Sequence, residues 1–202
     1  MGGAGEPGGG AAPVAAVAGL LLTGGRSRRM GTDKASLDVG GRRLAELVGE
    51  RLGAVVAPAL EVGPGRSGLP SIAEEPPGEG PLVALVAGWR ALVGLGHNGP
   101  VLVVACDLPL VTVEVLRLLA AWPGPGSVVP VVGGARQPLC ARWARADLER
   151  AAAGAAGGAR SLQGFFGPDV RFLDEATWGA VAPPSVFADV DTPADLERLG
   201  LA

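Results

Sequence analysis

The stretch Val14-Ala-Ala-Val-Ala-Gly-Leu-Leu-Leu-Thr-Gly-Gly-Arg-Ser-Arg-Arg-Met-Gly-Thr-Asp-Lys34 decides how this chain is read. Val14 to Leu22 is a continuous apolar run with no helical period, the pattern of a strand buried on both faces. It breaks at Thr23-Gly24-Gly25, where missing side chains let backbone approach an anion closely and turn amides toward it. Arg26, Arg28, Arg29 and Lys34 follow in the same loop. Arginine grips phosphate oxygens through its planar fork, and lysine acts as a point charge. Lys34 is the only lysine in a chain that uses arginine sixteen times. A buried strand running into a cationic glycine loop reads as a phosphate site. It is not a Walker A loop, because Gly-x-x-x-x-Gly-Lys-Ser/Thr does not occur.

Outward from this loop, apolar strands alternate with helical periods. Arg42–Leu52 carries Leu44, Leu47, Val48 and Leu52 at helical spacing and stops at Gly53. Ala54–Leu60 reads as the second strand, and residues 61–71 as a Gly/Pro-rich surface connection. Leu82–Val93 reads as an apolar helix and Val101–Cys106 as another buried strand. Thr112 is placed to cap a helix over Val113–Trp122. Short strands are expected at Ser127–Val132 and Pro138–Trp143 about a Gly133-Gly134 turn. Asp147–Ala156 and Ser161–Phe166 read as helical, Val170–Leu173 as extended, and a last helix starts at Thr192-Pro193. Such alternation predicts an α/β fold with a mostly parallel sheet covered on both faces. Ligands of such sheets bind beyond the carboxyl ends of the strands.

Composition bounds the rest. The 202 residues suffice for one well-buried domain, with 48% hydrophobic and 18% charged residues. Residues 1–13, rich in Gly, Ala and Pro, read as a disordered tail without the basic and apolar regions of a signal peptide; residues 14–202 read as one domain. A formal net charge of −3 gives no general attraction to nucleic acid or anionic membrane. No apolar run reaches the roughly 18–20 residues of a bilayer span. Cys106 and Cys140, both within apolar segments, read as reduced core thiols of a cytoplasmic protein.

Two further segments carry carboxylates. Asp107 ends the run Val-Leu-Val-Val-Ala-Cys-Asp-Leu-Pro. An acid at the end of a buried strand is costly unless paired or metal-bound, and Mg²⁺ favours one or two carboxylates together with phosphate oxygens. In Phe187-Ala-Asp-Val-Asp-Thr-Pro, Asp189 and Asp191 alternate by two and face one side of an extended chain. Either meets the metal or a second substrate, unless the segment merely caps the last helix. Gly94-Leu-Gly-His-Asn-Gly99 and Gly63-Pro-Gly-Arg-Ser-Gly68 both fit Gly-x-Gly-x-x-Gly, but the first precedes a strand and the second lies in loop sequence, so dinucleotide binding is disfavoured. The single histidine, His97, falls far from the inferred strand ends, and the chain has no tyrosine. So few general bases suit phosphoryl chemistry, which relies on positioning and charge neutralisation.

Leu22-Thr-Gly-Gly-Arg-Ser-Arg-Arg-Met-Gly-Thr-Asp-Lys34 resembles the signature Leu-x-Gly-Gly-x-Ser-x-Arg-Met-Gly-x-Asp-Lys of the molybdenum cofactor guanylyltransferases (MobA-type). Pro77-Gly-Glu-Gly-Pro-Leu82, Cys106-Asp-Leu-Pro109, Gln137-Pro-Leu139 and Asp189-Val-Asp-Thr-Pro-Ala-Asp-Leu196 follow in that family's order. The resemblance implies a three-layer Rossmann-like nucleotidyltransferase fold with a mostly parallel, mixed central sheet. It implies a magnesium-dependent transfer of GMP from GTP to molybdopterin, releasing pyrophosphate, with other cofactor-biosynthesis proteins as potential partners. It places Leu22, Thr23, Gly24 and Gly25 on the nucleotide, Lys34 and Arg29 on its phosphates, and Asp107 on both GTP and the metal. Glu74 stands where the family carries Asp near the nucleotide. Asp189 and Asp191 match a segment on the acceptor side, with Asp191 a second metal candidate. The family's Asn after the second strand has no counterpart in Val55–Ala59, and Ala84 replaces a usual Gly. Gly24-Gly25 and Asp33-Lys34 favour guanine over the cytidylyltransferase pattern. The alternatives are a relative using CTP or another phosphorylated acceptor, and a GTP-binding accessory protein without catalysis.

Overall fold

The computed structural model of the protein describes residues 12–24, 34–74 and 78–201. The first strand forms as β1 (Ala18–Leu22), buried at all five positions. It is shorter than the apolar run because the chain turns at Ala15-Ala16, where the Val14 N–H donates to the Val55 carbonyl at 2.7 Å. Beyond the glycine loop come a 3-10 turn at Lys34–Ser36 and a small ribbon, β2 (Asp38–Val39) and β3 (Arg42–Arg43). The helix α1 (Leu44–Gly53) then begins two residues later than its apolar spacing predicts, because Arg42 and Arg43 belong to the ribbon.

The second strand differs most from expectation. It is β4 (Ala59–Val62), not residues 54–60. Ala54 closes α1, and Val55 and Val56 both donate to the Leu52 carbonyl. These two valines are buried in the core as the turn below the helix. Their hydrophobicity marks burial, and periodicity in so short a run cannot separate turn from strand. After β5 (Ser71–Ile72) and α2 (Pro81–Gly94) comes β6 (Val101–Ala105), then α3 (Val113–Ala121), capped as expected by the Thr112 hydroxyl. The strands β7 (Val128–Val132) and β8 (Ala135–Arg136) turn at Gly133-Gly134, followed by β9 (Cys140–Trp143) and α4 (Arg145–Ala156). Residues 161–166 are not helical. Gly164 has φ 93°, and Phe166 instead lies over Trp143 with ring centroids 4.3 Å apart. The chain ends through β10 (Arg171–Leu173), α5 (Glu175–Trp178), a 3-10 turn at Pro184–Phe187 and α6 (Pro193–Arg198).

The main sheet runs β10-β7-β9-β6-β1-β4-β5, with β8 paired to β7. β1 pairs parallel with β4 and β6, β4 with β5, and β7 with β10. β9 runs antiparallel to β6 and β7, which makes the sheet mixed as predicted. Side chains alternate between its faces. Leu21, Leu102, Val104 and Cys140 meet Leu44, Val48 and Leu52 of α1 and Leu116 and Leu119 of α3. Leu20, Leu22, Val103 and Ala141 meet Leu82 and Leu85 of α2 and Leu148 of α4. Burying each leucine contributes about 1.5–3 kcal/mol, so packing between three layers fixes the helices more than their propensity does. Among the described residues no helix is long and apolar enough to cross a membrane.

The contact of α2 with the sheet depends on Gly88. A Cβ there would stand 2.7 Å from Val62 Cγ2 and 2.8 and 2.9 Å from the Leu20 methyls. Gly88→Ala is therefore expected to destabilise the protein by about 1–3 kcal/mol through overpacking, read from the midpoint of urea denaturation. A gain in stability, as helix propensity alone predicts, would contradict this packing.

Candidate active site

Strand register builds the site. Leu22 stands level with Val62 on one side and Ala105 on the other, and Val62 is level with Ile72. Four loops therefore leave the sheet at one height, beginning at Thr23, Gly63, Ala73 and Cys106. This is the carboxyl edge, with β4 on one side of β1 and β6 on the other, where open α/β sheets bind ligands. Thr23 and Gly24, which open the loop after Leu22, and Asp107 lie on this edge.

Asp107 follows β6 and is half-buried. Its carbonyl accepts the Val190 N–H at 2.9 Å. Val190 is fully buried, while Asp189 is exposed and Asp191 half-buried, so the chain-terminal segment lies against Asp107 with its two carboxylates on the outer side. The segments of Asp107 and of Asp189–Asp191 are thus joined through backbone across more than eighty positions of sequence. A second tie holds the same loop, as Arg51 Nη1 of α1 donates to the Pro109 carbonyl at 2.5 Å. Asp195 accepts from the Asp191 and Thr192 amides at 3.0 and 2.7 Å and from the Thr192 hydroxyl at 2.9 Å. This box starts α6 and keeps Asp195 as a cap. Its bond from the Thr192 hydroxyl, with those from the two amides and the nearby Arg198, holds the Asp195 carboxyl below the usual range against a small cost of desolvation.

On the other flank, Glu74 is 8% exposed and accepts the Gly78 N–H at 3.0 Å. A Cβ on Gly24 would lie 2.8 Å from Glu74 Oε2, so the carboxylate stands directly against the glycine loop. Gly24 is exposed, but its N–H, like that of Thr23, donates to the Val62 carbonyl, at 3.2 and 3.1 Å. The expectation that the Gly24 amide points at an anion is corrected: β-type pairing to Val62 already engages it. Leu22 is buried, its carbonyl accepting the Cys106 N–H at 3.0 Å. Lys34 opens its 3-10 turn, and Ala35 behind it is fully buried, anchoring the returning end of the loop. Gly25, Arg26, Arg28, Arg29 and Asp33 lie outside the described residues. Among the described residues no group of three or more His, Cys, Asp or Glu side chains is arranged to hold a metal.

The sequence reading missed Glu61. Assigned to a surface connection, it is in fact part of β4 and fully buried. Glu61 Oε1 accepts the Thr23 hydroxyl at 2.6 Å and the Gly65 and Arg66 amides at 2.8 and 2.9 Å. Oε2 accepts the amide and hydroxyl of Ser67 at 2.7 and 2.6 Å. The Thr23 hydroxyl is turned inward by this bond, so any contact of Thr23 with a nucleotide falls to its backbone. Burial by itself raises the Glu61 pKa, but the Ser67 and Thr23 hydroxyls and the Arg66 and Ser67 amides outweigh it and hold the carboxyl below its ordinary 4.5. The loop carrying the Gly63–Gly68 motif is thus wrapped around an internal carboxylate and leads to a strand, not a helix. The family comparison at Val55–Ala59 also shifts: the residues after the second strand are Gly63-Pro64-Gly65, again without Asn. His97 precedes β6 at the opposite edge, its Nε2 3.0 Å from the Pro100 carbonyl.

Because Glu61 is deprotonated more readily in the native state, its contribution is complete above pH 4.5 and drains away as pH falls through its lowered native value. Glu61→Gln is expected to cost about 1–3 kcal/mol at neutral pH and to flatten the acid limb of stability measured by urea denaturation. An unchanged acid limb would contradict the assignment.

Comparisons with known proteins agree with this geometry. The family described as the MobA-like NTP transferase domain matches residues 19–170. A molybdenum cofactor guanylyltransferase of Cereibacter sphaeroides is 36% identical over 89% of this chain and 93% of its own length. A probable molybdenum cofactor guanylyltransferase of Pelotomaculum thermopropionicum is 34% identical over 89% of this chain and 90% of its own. Among solved structures, the molybdopterin-guanine dinucleotide biosynthesis protein A of Archaeoglobus fulgidus superposes with a TM-score of 0.72 at 23% identity, over 90% of this chain and 95% of that one, which supports the fold. With its signature loop, sheet order and convergent strand ends in place, the chain belongs to the MobA-like NTP transferase family.

Proposed function

We propose that residues 14–202 act as one nucleotidyltransferase domain that transfers GMP from GTP to molybdopterin, forming the guanine dinucleotide cofactor and pyrophosphate. The bond between Val190 N–H and the Asp107 carbonyl carries this reading. It brings the acid behind β6 and the Asp189–Asp191 segment to the edge that bears the glycine loop. An acceptor phosphate oxygen attacks the α-phosphorus of GTP, the bond from that phosphorus to the bridging oxygen breaks, and pyrophosphate leaves. No covalent enzyme intermediate is needed, consistent with the shortage of general bases.

The donors suit magnesium: they are hard carboxylate oxygens, Asp107 and Asp191, on backbone segments tied together, with substrate phosphates to complete the set. Bound there, Mg²⁺ supplies neutralisation of triphosphate charge. Lys34 and Arg29 hold the phosphates from the loop side and stabilise charge growing on the leaving pyrophosphate. Gly24 and Gly25 leave the start of that loop without side chains. Leu22 and Thr23 contribute backbone, and Glu74, beside Gly24, faces the nucleoside. Asp189 and Asp191 orient the acceptor. The substrates are small phosphorylated molecules of the cytoplasm, and the product passes to other proteins of cofactor biosynthesis.

Pyrophosphate release with GTP, Mg²⁺ and molybdopterin tests this. Lys34→Ala and Asp107→Asn are each expected to lower the rate by about a hundredfold or more, while CTP is a poorer donor than GTP. A Lys34→Ala protein working at the parent rate would overturn the assignment.

A further inference from the structure

Cations and carboxylates divide the carboxyl edge unequally. The sequence Arg26–Lys34 supplies the basic residues of the loop after β1. The neighbouring side carries instead the buried acids Glu61, inside β4, and Glu74, after β5. Charge alone therefore sends a triphosphate toward the first loop and leaves the uncharged nucleoside end for the side bounded by residues 63–74. On that side Glu61 gathers five hydrogen bonds, and among the described residues no cation pairs with it.

Its partners come from two separate loops. Thr23 belongs to the loop after β1, directly before Gly24. Gly65, Arg66 and Ser67 belong to the loop after β4. Three successive amides converging on one oxygen pair form the kind of concavity that elsewhere binds an external anion, here filled by the protein's own carboxylate. The fit is tight enough to dictate neighbouring residues. Gly63 has φ 149°, and a Cβ on it would fall 2.0 Å from the Thr23 hydroxyl oxygen. A Cβ on Gly49 of α1 would fall 2.8 Å from Ser67 Cβ, so the loop is also pressed onto the helix.

We propose that Glu61 is a positioning residue for the nucleoside: by locking Thr23 to the 63–67 loop, it fixes the backbone at the end of β1 against the loop after β4 and so tunes the preference among nucleobases. This rests on the nucleotidyltransferase reading. A fixed backbone wall discriminates bases because its polar groups stay unpaired against the wrong one; a loosened wall adapts to both.

The test compares the parent with Glu61→Gln, Thr23→Val and Thr23→Ser. Thr23→Val removes the hydroxyl donor with little change of shape and keeps the proposal testable should Glu61→Gln fold poorly. Calorimetry measures Kd for GTP and CTP with Mg²⁺, and pyrophosphate release gives KM for GTP and for molybdopterin. Thr23→Val and Glu61→Gln are expected to raise the Kd and KM for GTP about tenfold and to shrink the GTP-over-CTP preference by a similar factor. The KM for molybdopterin should stay within about twofold, and Thr23→Ser, which keeps the hydroxyl donor, should recover the GTP-over-CTP preference lost in Thr23→Val. A folded Thr23→Val protein with parental GTP affinity and preference overturns the proposal, as does an equal rise in both KM values, which marks a merely structural role. A parent that binds GTP but releases no pyrophosphate overturns only the reaction, because the Kd values still decide the role of Glu61. A parent that binds no GTP overturns both.

Discussion

The parallel ladder joining Leu22 to Val62 and Ala105 is the constraint on which the molecule depends. Sliding either neighbour by one residue would turn its apolar side chains from one helical layer to the other, which the fully buried Leu20, Leu21, Leu102 and Val103 forbid. The hydrophobic core thus sets register, and register sets the height at which each loop leaves the sheet. Chemistry-bearing residues separated by up to about 170 positions meet because the leucines and valines beneath them have no other good arrangement. A backbone bond from Val190 to Asp107 completes the assembly by folding the chain's last segment onto the same edge.

Electrostatics refine what packing establishes. An overall charge of −3 offers no long-range attraction to a triphosphate, so affinity has to be local. The loop after β1 carries four cations in its sequence, Arg26, Arg28, Arg29 and Lys34, and acids stand on its flanks. Glu74 lies against Gly24, Asp107 is held by Arg51 through Pro109 and by Val190, and Glu61 is enclosed by donors. Asp195 is engaged in starting α6, which leaves Asp189 and Asp191 on the outer side of that segment.

Much of this was legible in the sequence. Long apolar runs ending in Gly-Gly or Asp-Leu-Pro gave β1 and β6 with their strand ends, and Thr112 and Thr192-Pro193 marked two helix starts by cap chemistry. Glu61 was not legible, because a charge next to Gly-Pro-Gly reads as solvated, and only the fold brings Thr23 and Ser67 to it. One signal was available: the alternation of Leu60 and Val62 carries the strand past the acid. Val55 and Val56 misled in the opposite direction, their burial belonging to a turn packed under α1. Ser161–Phe166 reads as helical, but aromatic contact of Phe166 with Trp143 and a glycine in left-handed conformation win locally. Local sequence specifies hydrophobic periods well and long-range hydrogen bonding poorly, and the errors divide along that line.

The central claim is that a nucleoside triphosphate and its divalent cation sit on the carboxyl edge between the glycine loop and Asp107. Crystals grown with GTP and Mn²⁺ in place of Mg²⁺ test it most directly, because manganese can be located by anomalous scattering. The account predicts an anomalous peak within coordinating distance of Asp107 and triphosphate density along residues 22–34. A nucleotide bound at another edge of the sheet, or a metal peak remote from Asp107, would contradict it.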